Sequence, residues 1–339
     1  MTGVFFLKIK TPVNFYFMGL FSKKFKTFSL PEDTEKIDAA AFKGNADYKE
    51  IKIPSSVNYI GAEAFSDCPN LETVEISENL NNIKRKTFYN CKSLKEVKIT
   101  GSVKFIGASA FENCTSLEDI EIPSPVIKVD DLSFAGCTAL KNITLSDSVE
   151  SLGKSAFMNC TSLSEITLPQ TLKGIGQTTF YNCTALKKIV IPASVIYMGH
   201  NPFYGCRKDI EIISENENYK IEKDFFLDMK KKRVISYFGA KDSLILPYGT
   251  RRTGDFSFKD NQTLEIVIVP SSTERIGRQT FANCKVLKEV SMYNTVKRID
   301  EGAFDGCTSL RKIYIPIGCT EKFKTLLDEK LWDKIEEVE

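Results

Sequence analysis

A phenylalanine that recurs every 23 residues constrains this chain more than any other feature. In the stretch from Ala156 to Gly176 it is Phe157, and the same interval relates phenylalanines on both sides of one interruption. The series comprises Phe42, Phe65, Phe88, Phe111, Phe134, Phe157, Phe180 and Phe203, then Phe258, Phe281 and Phe304. A fixed period of this size is typical of a solenoid, in which each repeat forms one coil.

The apolar positions that follow the phenylalanine predict one short strand per coil. Isoleucine or valine at +9 and isoleucine or leucine at +11 alternate as in a strand with one buried face, and proline at +12 ends the strand. In the coil of Phe157 these residues are Ile166, Leu168 and Pro169. We therefore expect a strand of about three residues in every coil.

Two other segments of the coil are expected to turn. Apolar residues three apart between Ala156 and Leu163 suit a short helical or 3₁₀ turn. Glycine at +19, such as Gly176, suits a tight turn with a positive φ. Because a single coil cannot bury both of its apolar edges, the coils should stack with parallel strands about 4.8 Å apart and share one continuous core.

The cysteines also follow the repeat. Nine of the ten stand three residues after a repeat phenylalanine, namely Cys68, Cys91, Cys114, Cys137, Cys160, Cys183, Cys206, Cys284 and Cys307. Stacked neighbours would lie about one strand spacing apart, so distance does not exclude pairing, but repeated bridges would twist a regular coil. We expect reduced thiols that pack as small hydrophobic side chains. No C-x₂-C pair or histidine cluster accompanies them, so no metal site is expected.

The pattern Leu-x-x-Ile-x-Ile-Pro, preceded by Ala-Phe-x-x-Cys, resembles the BspA-type leucine-rich repeats of bacterial and protist surface proteins. The resemblance covers about residues 25 to 316. It implies an α/β repeat solenoid, a leucine-rich repeat right-handed coil with a parallel sheet of short strands and a 23-residue period. The chain lacks the asparagine ladder of common leucine-rich repeats, and serine or threonine usually stands near that place at +14, as in Thr171 and Ser194.

The repeat register divides the chain into three segments. Residues 1–24 depart from it and are expected to form an N-terminal cap, or alternatively a poor signal or anchor segment; no membrane span is predicted. Residues 25–316 form the solenoid, with a β-hairpin insertion at about 215–243, where apolar runs flank the turn Met229–Arg233. Residues 317–339 predict a C-terminal cap, a short helix followed by a strand over 335–338, that covers the last strand edge.

Charge gives no general case for nucleic acid or anionic membrane as a partner, because the net charge is only +2. The one basic run is Lys230, Lys231, Lys232 and Arg233. It is interpreted as the solvated tip of the hairpin, with a targeting or heparin-type patch as the alternative.

No catalytic constellation or cofactor motif is found. The single histidine, His200, lies in a loop beside Asn201 and Pro202, and we expect an exposed turn residue rather than a base. Phosphate-binding glycine loops, zinc-protease motifs and nucleophile elbows do not occur. The prediction is a chain that is not an enzyme and has no cofactor or metal.

Binding is therefore expected on the exposed strand face, at +8 and +10 of each coil. These positions are mostly polar in the N-terminal half. Near the hairpin they become apolar, at Val190, Ile213, Ile266 and Ile268, and Tyr314 lies on the same face further along. An apolar patch with a polar rim suggests a contact site, although the hairpin could instead fold over it.

Two functions remain open. The resemblance implies a non-enzymatic adhesion solenoid, placed at the cell surface or secreted, that engages a host or matrix protein. An intracellular, cytoplasmic scaffold for protein–protein interaction is the alternative, favoured by unpaired cysteines and by the lack of a convincing signal peptide. Sequons begin at Asn113, Asn142, Asn159, Asn182 and Asn261, but most arise from the repeat itself and are weak evidence for secretion. The ligand and the oligomeric state are not predicted.

Overall fold

The computed structural model of the chain describes residues 26–207 and 209–339. The predicted cap or signal segment over residues 1–24 lies outside these residues. The chain forms two compact units: unit 1 ends at Glu215, and unit 2 runs from Asn216 to Glu339.

Most coils of unit 1 carry a longer strand and a two-residue strand, so the prediction of one strand per coil is wrong. The coil of Phe157 has only the two-residue strand Gly174–Ile175, and the strand predicted at Ile166 and Leu168 is absent there. We call the place of the longer strand in a coil the first sheet position, and that of the two-residue strand the second. The longer strands are β1 (Lys26–Ser29), β3 (Tyr48–Lys52), β5 (Thr73–Ile76), β7 (Glu96–Ile99), β9 (Asp119–Ile122), β11 (Asn142–Leu145), β14 (Lys188–Ile191) and β16 (Glu211–Ser214). The short strands, in the second sheet position, are β2 (Lys36–Ile37), β4 (Tyr59–Ile60), β6 (Asn82–Ile83), β8 (Phe105–Ile106), β10 (Lys128–Val129), β12 (Ser151–Leu152), β13 (Gly174–Ile175) and β15 (Tyr197–Met198).

All strand pairs of unit 1 that the structure describes are parallel. Val74 of β5 pairs with Val97 of β7, which lies one period further along the chain. Alternate residues of these strands are buried, as in β9, where Ile120 and Ile122 face the core. The parallel stacking expected from the repeat is thus confirmed.

The segment around each phenylalanine is a series of separate turns. The predicted 3₁₀ turns between Ala156 and Leu163 occur as single bonds, such as that from the Met158 N–H to the Ser155 carbonyl at 3.1 Å, but no continuous helix forms. Ser155 and Asn159 have positive φ angles of 54° and 61°, which no continuous helix allows. Alternate N–H groups donate to the next coil instead: that of Phe157 reaches the Thr179 carbonyl at 2.9 Å. This side of the coil is therefore held by bonds between coils.

Glycine at +19 serves a different purpose from the one predicted. The φ of Gly176 is not positive, and a Cβ built on it would lie 2.5 Å from the carbonyl carbon of Gly153 in the preceding coil. The glycine is needed because the two backbones approach closely there.

Two columns run through the core of unit 1, beside buried isoleucine, leucine and valine side chains. The repeat phenylalanines stack almost parallel, with ring centroids 5.2 Å apart for Phe111 and Phe134 and 5.7 Å apart for Phe134 and Phe157. Beside them the cysteines form a thiol ladder, in which each Sγ donates to the carbonyl of the phenylalanine 26 residues earlier, as Cys160 does to Phe134 at 3.2 Å. All ten cysteines are free and are buried or half-buried.

Unit 2 begins with an antiparallel meander and continues with parallel coils. The meander strands are β17 (Tyr219–Glu222), β18 (Phe225–Asp228) and β19 (Arg233–Tyr237). β19 continues in parallel into the second sheet position, which holds β21 (Arg252–Thr253), β23 (Arg275–Ile276) and β25 (Arg298–Ile299). The first sheet position holds β20 (Ser243–Ile245), β22 (Ile266–Ile268), β24 (Glu289–Ser291), β26 (Lys312–Pro316) and β27 (Ile335–Val338).

The basic run at the tip of the meander divides into exposed and buried residues. Lys230, Lys231 and Lys232 are exposed. Arg233 is not part of a solvated tip: its side chain is only 3% exposed and is paired at 3.3 Å with Asp228, which is 2% exposed. The expectation of a fully solvated run is therefore wrong for its last residue.

Helix occurs in the described residues only at the C-terminal end of unit 2. The helix α1 (Thr320–Leu326) and a 3₁₀ helix over Glu329–Lys334 precede β27, which pairs in parallel with β26. Phe323, Leu327 and Leu331 are buried against the core of unit 2. The strand predicted over residues 335–338 is present with these bounds.

Candidate functional site

The outer side of the first sheet in unit 2 presents apolar side chains in two adjacent columns. Strand alternation places Leu244 and Val267 in the core, so their neighbours Ile245, Ile266 and Ile268 face outward. In one column Ile245 lies beside Ile268; in the other, Ser243 lies beside Ile266. We call Ile245, Ile266, Ile268 and Tyr314 the outer isoleucine face.

The structure brings some of the predicted binding residues together. Ile266 and Ile268 are half-buried on one strand. Tyr314 follows in the column of Ile268, with Ser291 between them. Val190 and Ile213 belong to unit 1, where they are direct neighbours on β14 and β16.

Sequence reasoning missed the most exposed member of the face. The side chain of Ile245 is 63% exposed, and nearby Tyr248 is 88% exposed. The coil that contains this strand lacks both the repeat phenylalanine and the repeat cysteine. Its outward-facing residues are therefore not among the positions predicted from the repeat. The signal was nevertheless present, since Leu244, Leu246 and Pro247 occupy the template positions +9, +11 and +12.

The meander leaves the outer isoleucine face open within unit 2. Its strand β19 pairs with β21 in the second sheet position, so the meander extends that sheet. Between the meander and β20 lies a cavity of about 530 Å³. Its lining includes Phe225, Leu227, Met229 and Tyr248, together with Ile245 of the outer isoleucine face.

Charged pairs border the face. Glu289 accepts a hydrogen bond from Arg311 at 2.9 Å, and Lys312 is paired with Glu336. The hydrogen bond from Lys312 to the Glu336 carboxylate raises the pKa of that lysine, because the charged form is favoured. An apolar centre with an ionic border is the arrangement usual for a protein contact.

The same strand positions in unit 1 carry ion pairs instead. Lys98 on β7 donates to Glu75 on β5 at 2.6 Å, and Lys188 on β14 is paired with Glu211 on β16 at 3.3 Å. The hydrogen bond to Glu75 raises the pKa of Lys98. These side chains are largely exposed, so they contribute solubility more than stability.

Nucleophilic and titratable groups are not assembled for chemistry in the described residues. His200, expected to be exposed, is half-buried, and its carbonyl accepts a hydrogen bond from the Thr178 N–H at 3.0 Å. Burial raises the pKa of the Cys137 and Cys206 thiols to about 12, which makes them poor nucleophiles. Within the same residues, no group of histidine, cysteine and carboxylate side chains could hold a metal ion.

Across residues 26–207 and 209–339, no helix combines the length and the apolar character that spanning a bilayer requires.

Several solved structures resemble the fold. A leucine rich cell surface protein from Faecalibacterium prausnitzii A2-165 is 24% identical with a TM-score of 0.59, over 92% of this chain and 91% of that one. A leucine-rich repeat protein from Bacteroides ovatus ATCC 8483 is 26% identical with a TM-score of 0.53, over 92% of each. The pneumococcal vaccine antigen PcpA is 21% identical with a TM-score of 0.52, over 86% of this chain and 72% of that one. At these identities the first and the third show the fold alone.

Comparison with curated protein sequences finds no significant match. The family model of the BspA type leucine rich repeat region matches residues 14–141, 128–239 and 235–327, which together make up most of the chain. Those segments contain the phenylalanine and thiol columns of both units. The chain therefore belongs to the BspA type leucine-rich repeat family.

Proposed function

We propose that this chain is a non-enzymatic solenoid that binds a protein ligand through the outer isoleucine face of unit 2. The observation that carries the proposal is the exposed isoleucine pair, Ile245 and Ile268, side by side on a rigid parallel sheet. Contiguous exposed apolar side chains are uncommon on soluble proteins unless they serve a contact. A flat sheet face of this kind suits a folded partner better than a small molecule.

We further propose that the chain acts at the cell surface or is secreted, and that its ligand is a host or matrix protein. The support is the Faecalibacterium prausnitzii protein of similar fold, which is described as a cell surface protein. The free thiols favour the second candidate, a cytoplasmic scaffold, since unpaired cysteines persist most easily in reducing surroundings. Labelling of intact cells with a membrane-impermeant reagent separates the two, because only a surface protein is labelled.

The binding test uses a charge placed in the apolar face. Ile245→Asp/Ile268→Asp should weaken binding of the purified protein to intact host cells or to purified matrix proteins by about tenfold or more, since a central apolar contact would be replaced by buried charge. Surface plasmon resonance on the matrix proteins that bind the wild type measures the effect.

A matched control places the same charges elsewhere on the outer strand positions. In unit 1, Thr144 on β11 is exposed, and so is Thr167, which holds the equivalent position, +10, in the next coil. Thr144→Asp/Thr167→Asp should bind as the wild type does. If both double variants bind as tightly as the wild type, the outer isoleucine face is not the ligand site.

A further inference from the structure

Unit 2 carries a column of arginines on its second sheet. Arg252, Arg275 and Arg298 occupy the same register on β21, β23 and β25, so neighbouring guanidinium groups start from backbones one strand spacing apart, about 4.8 Å. Each lies six residues before a repeat phenylalanine. The column is thus built by the repeat and lies on a different sheet from the outer isoleucine face.

Like charges side by side on a sheet repel one another, so such a column is unfavourable on its own. Asp300 offsets part of this repulsion, because it accepts from Arg275 at 2.7 Å and from Arg298 at 2.5 Å. Arg252 has no ion pair within the described part of the chain, and its Nε is buried without a hydrogen-bond partner there. Positive charge therefore remains uncompensated at that end of the column.

The same column in unit 1 is not basic throughout. Its members there are Lys36, Tyr59, Asn82, Phe105, Lys128, Ser151, Gly174 and Tyr197. Solubility and folding of the coil therefore do not require arginine at this position. The three arginines of unit 2 call for another explanation.

Further cations flank the column. Arg251 and Lys297 stand in the adjacent column and share one carboxylate, Glu274, at 2.7 Å and 3.4 Å. The meander tip adjoins them, because the N–H of Arg251 donates to the Lys232 carbonyl at 2.8 Å. The resulting basic face comprises Lys230, Lys231, Lys232, Arg251, Arg252, Arg275, Lys297 and Arg298, with Glu274 and Asp300 between them.

We propose that this basic face binds a linear sulfated polysaccharide. The guanidinium fork matches an oxyanion with two parallel hydrogen bonds, and a row of such groups along a sheet suits an extended chain of regularly spaced sulfates. Nucleic acid is the weaker fit, because its single strands are held by aromatic stacking, and the two columns of unit 2 hold no aromatic side chain. The proposal is independent of the protein ligand proposed above.

The test removes cations while keeping the fold. Arg252→Gln/Lys297→Gln/Arg298→Gln leaves Asp300 paired with Arg275 and Glu274 paired with Arg251. In titrations with heparin fragments at about 0.1 M salt, the wild type should bind, and the variant should bind at least about tenfold more weakly with a shallower salt dependence. Thermal unfolding monitored by circular dichroism verifies that the variant is folded.

A control with the same change in net charge comes from unit 1. Lys36 and Lys128 hold the column position and Lys173 the flanking one, so Lys36→Gln/Lys128→Gln/Lys173→Gln removes three cations from equivalent places. This variant should bind heparin as the wild type does. An equal loss of heparin affinity in the two variants would mean that net charge alone causes the effect, and it would overturn the proposal. Binding of single-stranded DNA as tight as that of heparin would overturn the assignment to a sulfated polysaccharide.

Discussion

In unit 1 the phenylalanine rings stack without a break from Phe42 to Phe203, whereas unit 2 begins with a tilted aromatic cluster. Within that cluster the rings of Phe225 and Tyr237 meet at 44°. Stacking returns with Phe258 and Phe281 at 28°, and becomes almost parallel with Phe281 and Phe304 at 10°. The uniform column needs every coil to have the same length. Where the meander changes that length, the aromatic side chains must find other geometries.

The interruption also brings charge into the interior. Asp228 and Arg233 form a buried ion pair at the meander tip, and the Asp228 carboxylate also accepts the Lys231 N–H at 2.8 Å. The buried side chains of the unit 1 columns are apolar rings and thiols. Unit 1 thus relies on repetition of one apolar contact, while unit 2 relies locally on a specific polar contact.

The largest effect is expected in the middle of the unit 1 column. Phe134 is fully buried between two parallel rings. Phe134→Ala removes both ring contacts and leaves a cavity that the rigid coils cannot fill, so the free energy of unfolding should fall by about 3–5 kcal/mol. Urea denaturation followed by far-UV circular dichroism measures the change.

Phe304 supplies the matched control from unit 2. It stacks on Phe281 from one side, 5.5 Å between centroids, and is slightly exposed. Phe304→Ala should therefore cost less than Phe134→Ala. An equal or larger loss for Phe304→Ala would show that an unbroken stack adds nothing to the stability of unit 1.

The buried ion pair should give the next largest effect. Asp228→Ala leaves the buried Arg233 guanidinium without its carboxylate, so stability should fall by about 3 kcal/mol. Asp228→Ala/Arg233→Met should recover part of the loss, because it removes the buried charge as well. Urea denaturation of the wild type and both variants measures these differences.

An exposed pair in unit 1 sharpens the contrast. Glu75 pairs with Lys98, and both side chains are well exposed. Glu75→Ala should leave stability almost unchanged, because solvent screens an exposed ion pair. If Asp228→Ala costs no more than Glu75→Ala, the meander does not depend on its buried pair.

Much of the core could be predicted from the sequence because it follows the period. Phenylalanine and cysteine keep their spacing, and when identical coils stack, residues at the same position form a column in the core. The positive φ at +2 could have been predicted too, since glycine, asparagine or aspartate stands there, as in Gly136 and Asn159. The sequons at Asn113, Asn159 and Asn182 belong to these turns.

Other features could not be predicted from local preference. The second positive φ, at −2, falls on residues as different as Leu132, Ser155 and Lys86. Hydrogen bonds between coils impose that conformation, and a single coil gives no sign of them. The two-residue strands of unit 1 could not be predicted for the same reason, because the hydrogen bonds that define them form only when coils stack.

Of the candidate site, the sequence predicted Ile266 and Ile268 correctly as outward-facing but missed Ile245. The missing phenylalanine in that coil hid the strand, since every position was counted from such an anchor. The arginine column could have been predicted from the same period, because Arg252, Arg275 and Arg298 keep the 23-residue spacing.

The smallest effect concerns the thiol ladder and appears only at alkaline pH. Burial raises the pKa of Cys137 to about 12, whereas an unfolded thiol has a pKa of about 8.5. Between about pH 9 and pH 12 the unfolded chain releases this proton and the folded chain keeps it, so stability falls as pH rises. The Cys137 thiol should lower the free energy of unfolding of the wild type by about 1 kcal/mol at about pH 9.5 and not at pH 7. Cys137→Ala should abolish this pH-dependent loss.

Urea denaturation of the wild type and the variant under reducing conditions at both pH values measures this loss. The contributions of exposed lysines and tyrosines cancel in the difference, because these groups titrate in both proteins alike. The two units should also differ, since the ladder thiols with a raised pKa run from Cys91 to Cys206 in unit 1, whereas unit 2 holds only Cys284 and Cys307 in its ladder. Amide hydrogen exchange should therefore show unit 1 losing protection before unit 2 as pH rises, after correction for the intrinsic rate. Equal losses would mean that the ladder is not what separates the alkaline stability of the two cores.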